Sequence, residues 1–266
     1  RYGSGISCTS QSITYYSFTD NLSINYGGQL INLTGSTGEG IISYGLGGTR
    51  NLPDEVKATG KEYKQYQLKE HESYGEDFGA LEGRELTILG NSKKVTNDTN
   101  HTGITVGSGK ILNIENLTLT GFKDYDIENN GILNLTGNVN VGTGITGTGE
   151  TNLLSGGKLE LAEGAVISGN ELNITGATIK TGNINDSSLN LISSLFDMQS
   201  NNITTANITD WASTSNSKLN IDVNLDEGTN DKIVVSGTAI GEITIGDINI
   251  TVNPTENKEG TLDIFG

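Results

Sequence analysis

Asp124, Tyr125, Asp126 and Glu128 crowd into one short stretch beside Lys123. Paired carboxylates next to a cation are the groups that general acid/base chemistry or a Ca²⁺ site would use. All of them come from one loop, so a solvated corner is the competing interpretation. The two histidines, His71 and His101, lie 30 positions apart and show no zinc-ligand spacing. No G-x-S-x-G elbow or P-loop occurs. The glycine-rich run over 142–149 (GTGITGTG) lies among strand-like segments with no helix after it. No catalytic residue, metal ligand or cofactor is expected from these patterns.

A second group of residues suggests binding. The tract KEYKQYQLKEHESYGEDF sets Tyr63, Tyr66, His71, Tyr74 and Phe78 among mixed charges. Six of the sixteen Lys and Arg fall between Arg50 and Glu85, together with nine acidic residues. Exposed aromatics on a loop are favoured where partners dock, so these five residues are the candidate contact set. Locally the tract fits a short helix from Asp54 or a hairpin through Tyr63 to Leu68. It interrupts the repeat described next. Residues 44–86 are therefore expected to project as an insertion, the alternative being a loop folded back over the first rungs.

The elements that must carry these side chains follow from one recurrent phrase. In GNELNITGATI, Leu172 and Ile174, then Ala177 and Ile179, alternate with polar or small residues across Gly176. That pattern gives a period-two strand, a corner and a second strand. GQLINLTG, GKILNI, GILNLTG, GKLEL and SKLNIDV repeat it with drift. Steps of 26, 21, 20, 19 and 17 positions link Leu86, Leu112, Leu133, Leu153, Leu172 and Leu189. A period near 20 is the length of one solenoid coil. The expected fold is all-β, a right-handed parallel β-helix. Residues 1–43 form an N-terminal cap with first rungs, 87–217 the helix proper and 218–266 the C-terminal rungs. Leu112, Ile114, Leu133, Leu135, Leu159, Leu161, Leu172, Ile174, Leu189 and Leu191 are the expected core columns.

Composition agrees with a narrow core and many corners. Hydrophobic residues are 33% and charged residues 18%, with Gly, Ser, Thr and Asn filling the difference. A net charge of −16 repels a phosphate backbone and disfavours nucleic acid as a partner. Cys8 is alone, so no intrachain disulfide forms. No apolar run is long enough to span a membrane. The chain opens at Arg1 without an initiator Met and reads as part of something longer. Asn-x-Ser/Thr sequons such as Asn134, Asn173, Asn207 and Asn249 sit inside strands and follow from the repeat itself.

Between Lys218 and Ile250 the chain runs LNIDVNL, DEGT, DKIVVSG and TAIG, then a further strand. This stretch resembles the C-terminal, autochaperone-type rungs of bacterial autotransporter passenger domains, the type V secretion family. The resemblance implies a secreted or surface-displayed, adhesin-like segment. Its partner would be a host or neighbouring-cell surface protein or glycan. Its only membrane contact would be through a β-barrel that this chain does not include. It carries over no catalytic residue. The rival classes are a polysaccharide lyase or glycosidase on the same fold and a purely structural spacer. An enzyme would need a groove with acidic and basic groups on adjacent rungs, and cations are scarce between Leu86 and Asn201. The β-branched run Ile221, Val223, Ile233, Val234, Val235, Ile243, Ile245, Ile248 and Ile250 is expected to make this end the most stable. Asp231 and Lys232 are expected at an exposed turn.

Overall fold

The computed structural model describes residues 51–59, 62–200, 202–251 and 263–264, and the strands found within 8–45. The chain winds into a parallel β-solenoid of about eight turns. Each turn lays down three short strands, and each strand pairs in parallel with its counterpart on the next turn. The first face stacks Tyr63–Gln67, the first half of Glu85–Thr96, the first half of Ile111–Thr120, Ile132–Thr136, Glu150–Leu153 and Glu171–Thr175. The second face includes Asn138–Val141, Lys158–Leu161, Thr178–Lys180 and Leu195–Asp197. The third includes Ile104–Val106, Ile127–Asn129, Gly144–Thr146 and Val166–Ser168.

Period-two alternation puts one apolar column behind each face. Leu86, Leu112 and Leu133 are in register on the first face, and Leu172 and Leu189 continue the same column. Ile104, Ile127, Ile145, Ile167 and Ile184 form an unbroken isoleucine column on the third. β-branched side chains suit such positions because they fill the pleat with little loss of rotamer freedom. Nine of the ten expected core residues are buried, and Leu161 is half-buried against them.

The register differs from the sequence spacing on both sides of Leu153. Leu133 pairs with Thr151, while Leu153 follows Leu135 in the neighbouring column. Thr151 is fully buried, and its hydroxyl is satisfied by Asn129 Nδ2 at 3.1 Å and Asn170 Oδ1 at 3.0 Å. Asn170 is itself buried and donates to the carbonyls of Gly147 and Ser168. A polar side chain can occupy the column because this cluster replaces every hydrogen bond lost to water.

Residues 62–86 do not project as an insertion. Tyr63–Gln67, Glu72–Ser73 and Gly79–Ala80 supply the three strands of one turn, paired in parallel with Glu85–Thr96 and Ile104–Val106. The helix Leu52–Lys57 packs beside that turn and buries Leu52 and Val56. Asn51 caps it, accepting from Asp54 N at 2.8 Å. Lys64 occupies the column position below Leu86. It is 3% exposed, and its ammonium donates to the carbonyls of Glu55, Val56 and Ala58 at 2.7, 2.9 and 3.3 Å. A lysine reaches the core here because the last carbonyls of a helix lack intrahelical partners and attract a cation.

Within the expected cap, Asn21–Tyr26 and Gln29–Thr34 pair antiparallel, so the GQLINLTG copy is a hairpin arm and not a rung. Parallel stacking begins where Ile42–Gly45 meets Tyr63–Gln67. The side chains of 1–50 lie outside the described residues. At the other end Ile221, Val223 and Ile233 are buried, but Val234, Ile245, Ile248 and Ile250 are 36, 37, 43 and 55% exposed. Thr244–Thr251 is exposed along its whole length. β-branched density there does not translate into burial. Asp231 is also fully buried, not exposed, whereas Lys232 is exposed as expected. Residues 252–262 of the expected C-terminal segment lie outside the described residues.

On the outer side of the first face, Asn113, Asn134, Asn152, Asn173 and Asn190 are in register on successive turns. Asn134 Nδ2 donates to Asn113 Oδ1 at 2.8 Å and Asn152 Nδ2 to Asn134 Oδ1 at 3.0 Å. Asn190 Nδ2 donates to Asn173 Oδ1 at 3.4 Å. These five asparagines therefore form a side-chain ladder in two bonded runs, 113–134–152 and 173–190.

Candidate functional site

The carboxylate stretch divides by environment. Asp124 is exposed. Glu128 accepts from Thr105 Oγ1 at 3.0 Å and Tyr125 Oη at 3.3 Å. Asp126 is fully buried and turns inward, where Thr143 N and Gly144 N donate to its Oδ2 at 2.6 and 3.0 Å. Its Oδ1 is buried without a hydrogen-bond partner. Burial pushes this carboxyl up to about 6, against the pull of the backbone N–H groups. The chain folds so tightly here that a Cβ on Gly103 would lie 1.9 Å from the Asp126 carbonyl oxygen. Asp126 is a corner brace facing away from solvent, and no pair of carboxylates converges in this stretch.

Part of the aromatic tract is built into the core of its turn. Tyr66 is 7% exposed and Phe78 is fully buried. Phe78 packs edge-to-face between Tyr74 and Phe122, with centroid distances of 5.3 and 5.0 Å. Tyr66 and Tyr74 both donate to Glu72, at 2.8 and 2.5 Å. Burial first, then these bonds to Glu72, raise both phenols above their ordinary range. Tyr63 is half-buried, with the Arg84 guanidinium 5.9 Å from its ring centroid. His71 is exposed, and its Nδ1 accepts from Lys94 N at 3.0 Å. The five candidates belong to one turn, and three of them face into or against its core.

Among the described residues, a concave feature lies on the second face, at the corner leading to the third. Parallel pairing places Glu160, Lys180 and Asp197 side by side on three successive turns. Lys158 Nζ donates to Glu160 Oε2 at 2.7 Å, and Lys180 Nζ lies 3.3 Å from Glu160 Oε1. The Lys158 bond, helped by Lys180, holds the Glu160 carboxyl below its usual value. Burial raises Asp197, opposed by Gln199 N at 3.1 Å. A cleft of about 620 Å³ opens beside them, lined among others by Glu163, Lys180, Asn183, Gln199 and Asn202. Gln199, Ser200, Asn202, Ile203 and Thr204 form one wall, held at two points. Asn202 Nδ2 donates to Glu163 Oε1 at 2.8 Å, and Thr204 N and Oγ1 donate to Asp231 Oδ1 at 2.7 and 3.0 Å. Gly182 makes room for that wall, since a Cβ there would meet Thr204 Oγ1 at 1.8 Å.

Reading inward columns alone misses this cleft. The signal lay in the outward positions of KLEL and TIK, which the fold brings into register. Cations are scarce along the chain, yet Lys158 and Lys180 both reach one glutamate. Chemically, Glu160 has both oxygens engaged by ammonium groups, which makes it a stable anion and a poor proton donor. Among the described residues, no group of three or more His, Cys, Asp or Glu could hold a metal ion. No known protein family, curated protein or solved structure matches the chain.

Proposed function

We propose that this chain is a secreted or surface-displayed bacterial passenger segment of the autotransporter type, which binds a cell-surface protein or glycan through its outer faces and catalyses no reaction. The observation that carries this is the state of Glu160. In the cleft on the second face, the acid that a hydrolase would need as proton donor is locked between Lys158 and Lys180. Rigid parallel stacking and short corners also favour a presenting scaffold over a moving one.

A second interpretation, a polysaccharide lyase or glycosidase, is favoured by one specific fact. Glu160 and Lys180 are acidic and basic groups on adjacent turns beside a cleft. A single experiment separates these classes. The protein is applied to an array of glycans and host matrix proteins, and the same glycans are assayed for new reducing ends and unsaturated sugars. Binding without product is the expected result. Product release lost in Glu160→Gln would replace the proposal with an enzyme, and absence of binding on every spot would leave a spacer.

A further inference from the structure

Resting on that binding role, we infer that the cleft beside Lys180 is a subsite for a neutral, extended, hydroxyl-rich glycan lying along the solenoid axis. Three features carry the inference. The first is spacing. The cleft spans the turns bearing Glu160, Lys180 and Gln199. Successive turns are separated by about 4.8 Å, the distance between paired strands. Pyranose units in an extended 1,4-linked chain repeat at closely similar intervals, so consecutive sugars would meet equivalent positions on consecutive turns. A compact metabolite gains nothing from that periodicity.

The second feature is the chemistry of the lining. Glu163, Asn183, Asn202 and Lys180 offer carboxylate, amide and ammonium groups, which pair with vicinal hydroxyls as donors and acceptors together. Leu161 and Ile203 supply apolar surface for the C–H face of a ring. The charge excludes an acidic polymer. Lys158 and Lys180 are balanced by Glu160 and Glu163 together, and the chain carries −16 overall.

The third is preorganisation. The wall is held by Asn202 to Glu163 and by Thr204 to Asp231, so little ordering remains to oppose binding.

The test is isothermal titration of the whole chain with cellohexaose, xylohexaose and, as acidic control, an oligogalacturonate hexamer. At least one neutral hexamer is expected to bind and the acidic one not to bind. The double variant Glu163→Gln, Asn183→Ala should weaken binding by about tenfold, the effect of losing one or two hydrogen bonds. Its thermal melt should not move, since glutamine keeps an Oε1 acceptor for Asn202 and Asn183 lines the cleft. In the unaltered protein the amide resonances of Gly164 and Gly182 should shift on titration, which needs no variant. The assignment falls if neither neutral hexamer binds, if the double variant binds as well as the parent, if those two amides stay still, or if the acidic hexamer binds in preference. A parent protein that keeps its array partners but binds neither neutral hexamer removes the subsite and leaves the adhesin-like role standing.

Discussion

Asp126→Asn isolates the cost of one buried carboxylate. In the folded chain burial holds this group near 6, and in the unfolded chain it titrates near 3.9. Between those two values the native state binds more protons than the unfolded state, so stability falls as pH rises through about 4 to 6 and is flat beyond. The span corresponds to about 3 kcal/mol at neutral pH. Asparagine keeps a carbonyl for Thr143 N and Gly144 N and places its amide where Oδ1 already lacks a partner. The protonated acid leaves that position equally unsatisfied. The variant should therefore match the parent near pH 4 and exceed it by about 3 kcal/mol at pH 7. Repeat solenoids need not unfold in one step, so a local probe is preferred. Native-state hydrogen exchange of the Thr143 and Gly144 amides, read at pH 4, 5, 6 and 7, reports the difference. Parallel pH profiles for the two proteins would refute the linkage, because the carboxyl would then titrate alike in both states.

Ile174→Asp should destabilise the solenoid by several kcal/mol, since Ile174 is fully buried between Leu153 and Leu191 and an aspartate there has no cation to pair with. A melt unchanged by that substitution would contradict the column register. Deleting 51–79 should unfold the N-terminal turns and not merely remove a binding surface. The segment supplies a whole turn and covers Leu86 and Ile88. Circular dichroism and protease resistance equal to the intact chain would show that the turn is dispensable.

The parallel stack was legible because Leu112, Leu133, Leu172 and Leu189 recur at coil length with glycine corners between them. The turn at 62–81 was not, because its inward positions are Lys64 and Tyr66 in place of paired aliphatics. A buried lysine satisfied by helix carbonyls looks, in sequence, like a solvated charge. Thr151 hid the true register in the same way: its burial depends on Asn129 and Asn170, which are distant along the chain. Tyr66, Tyr74 and Phe78 looked like a docking patch since aromatic residues among charges fit either a surface or a small mixed core. Only the partners decide, here Glu72 and Phe122. The cleft was hidden because Glu160 and Lys180 meet only once the coil length is known to the residue.

The backbone hydrogen bonds that join successive turns all point along the solenoid axis, and the asparagine ladder adds side-chain bonds in the same direction. A pull on the two ends therefore loads the turns in series, like the coils of a rope paid out from a drum. One coil, such as Leu112 to Leu133, holds 21 residues, and drawing it straight releases about 70 Å of chain. A thread anchored at one end and holding a partner at the other would lengthen by discrete lengths before it let go. Stretching of single molecules should show a sawtooth with that increment, whereas one all-or-none extension would mean that the turns share load as a single block.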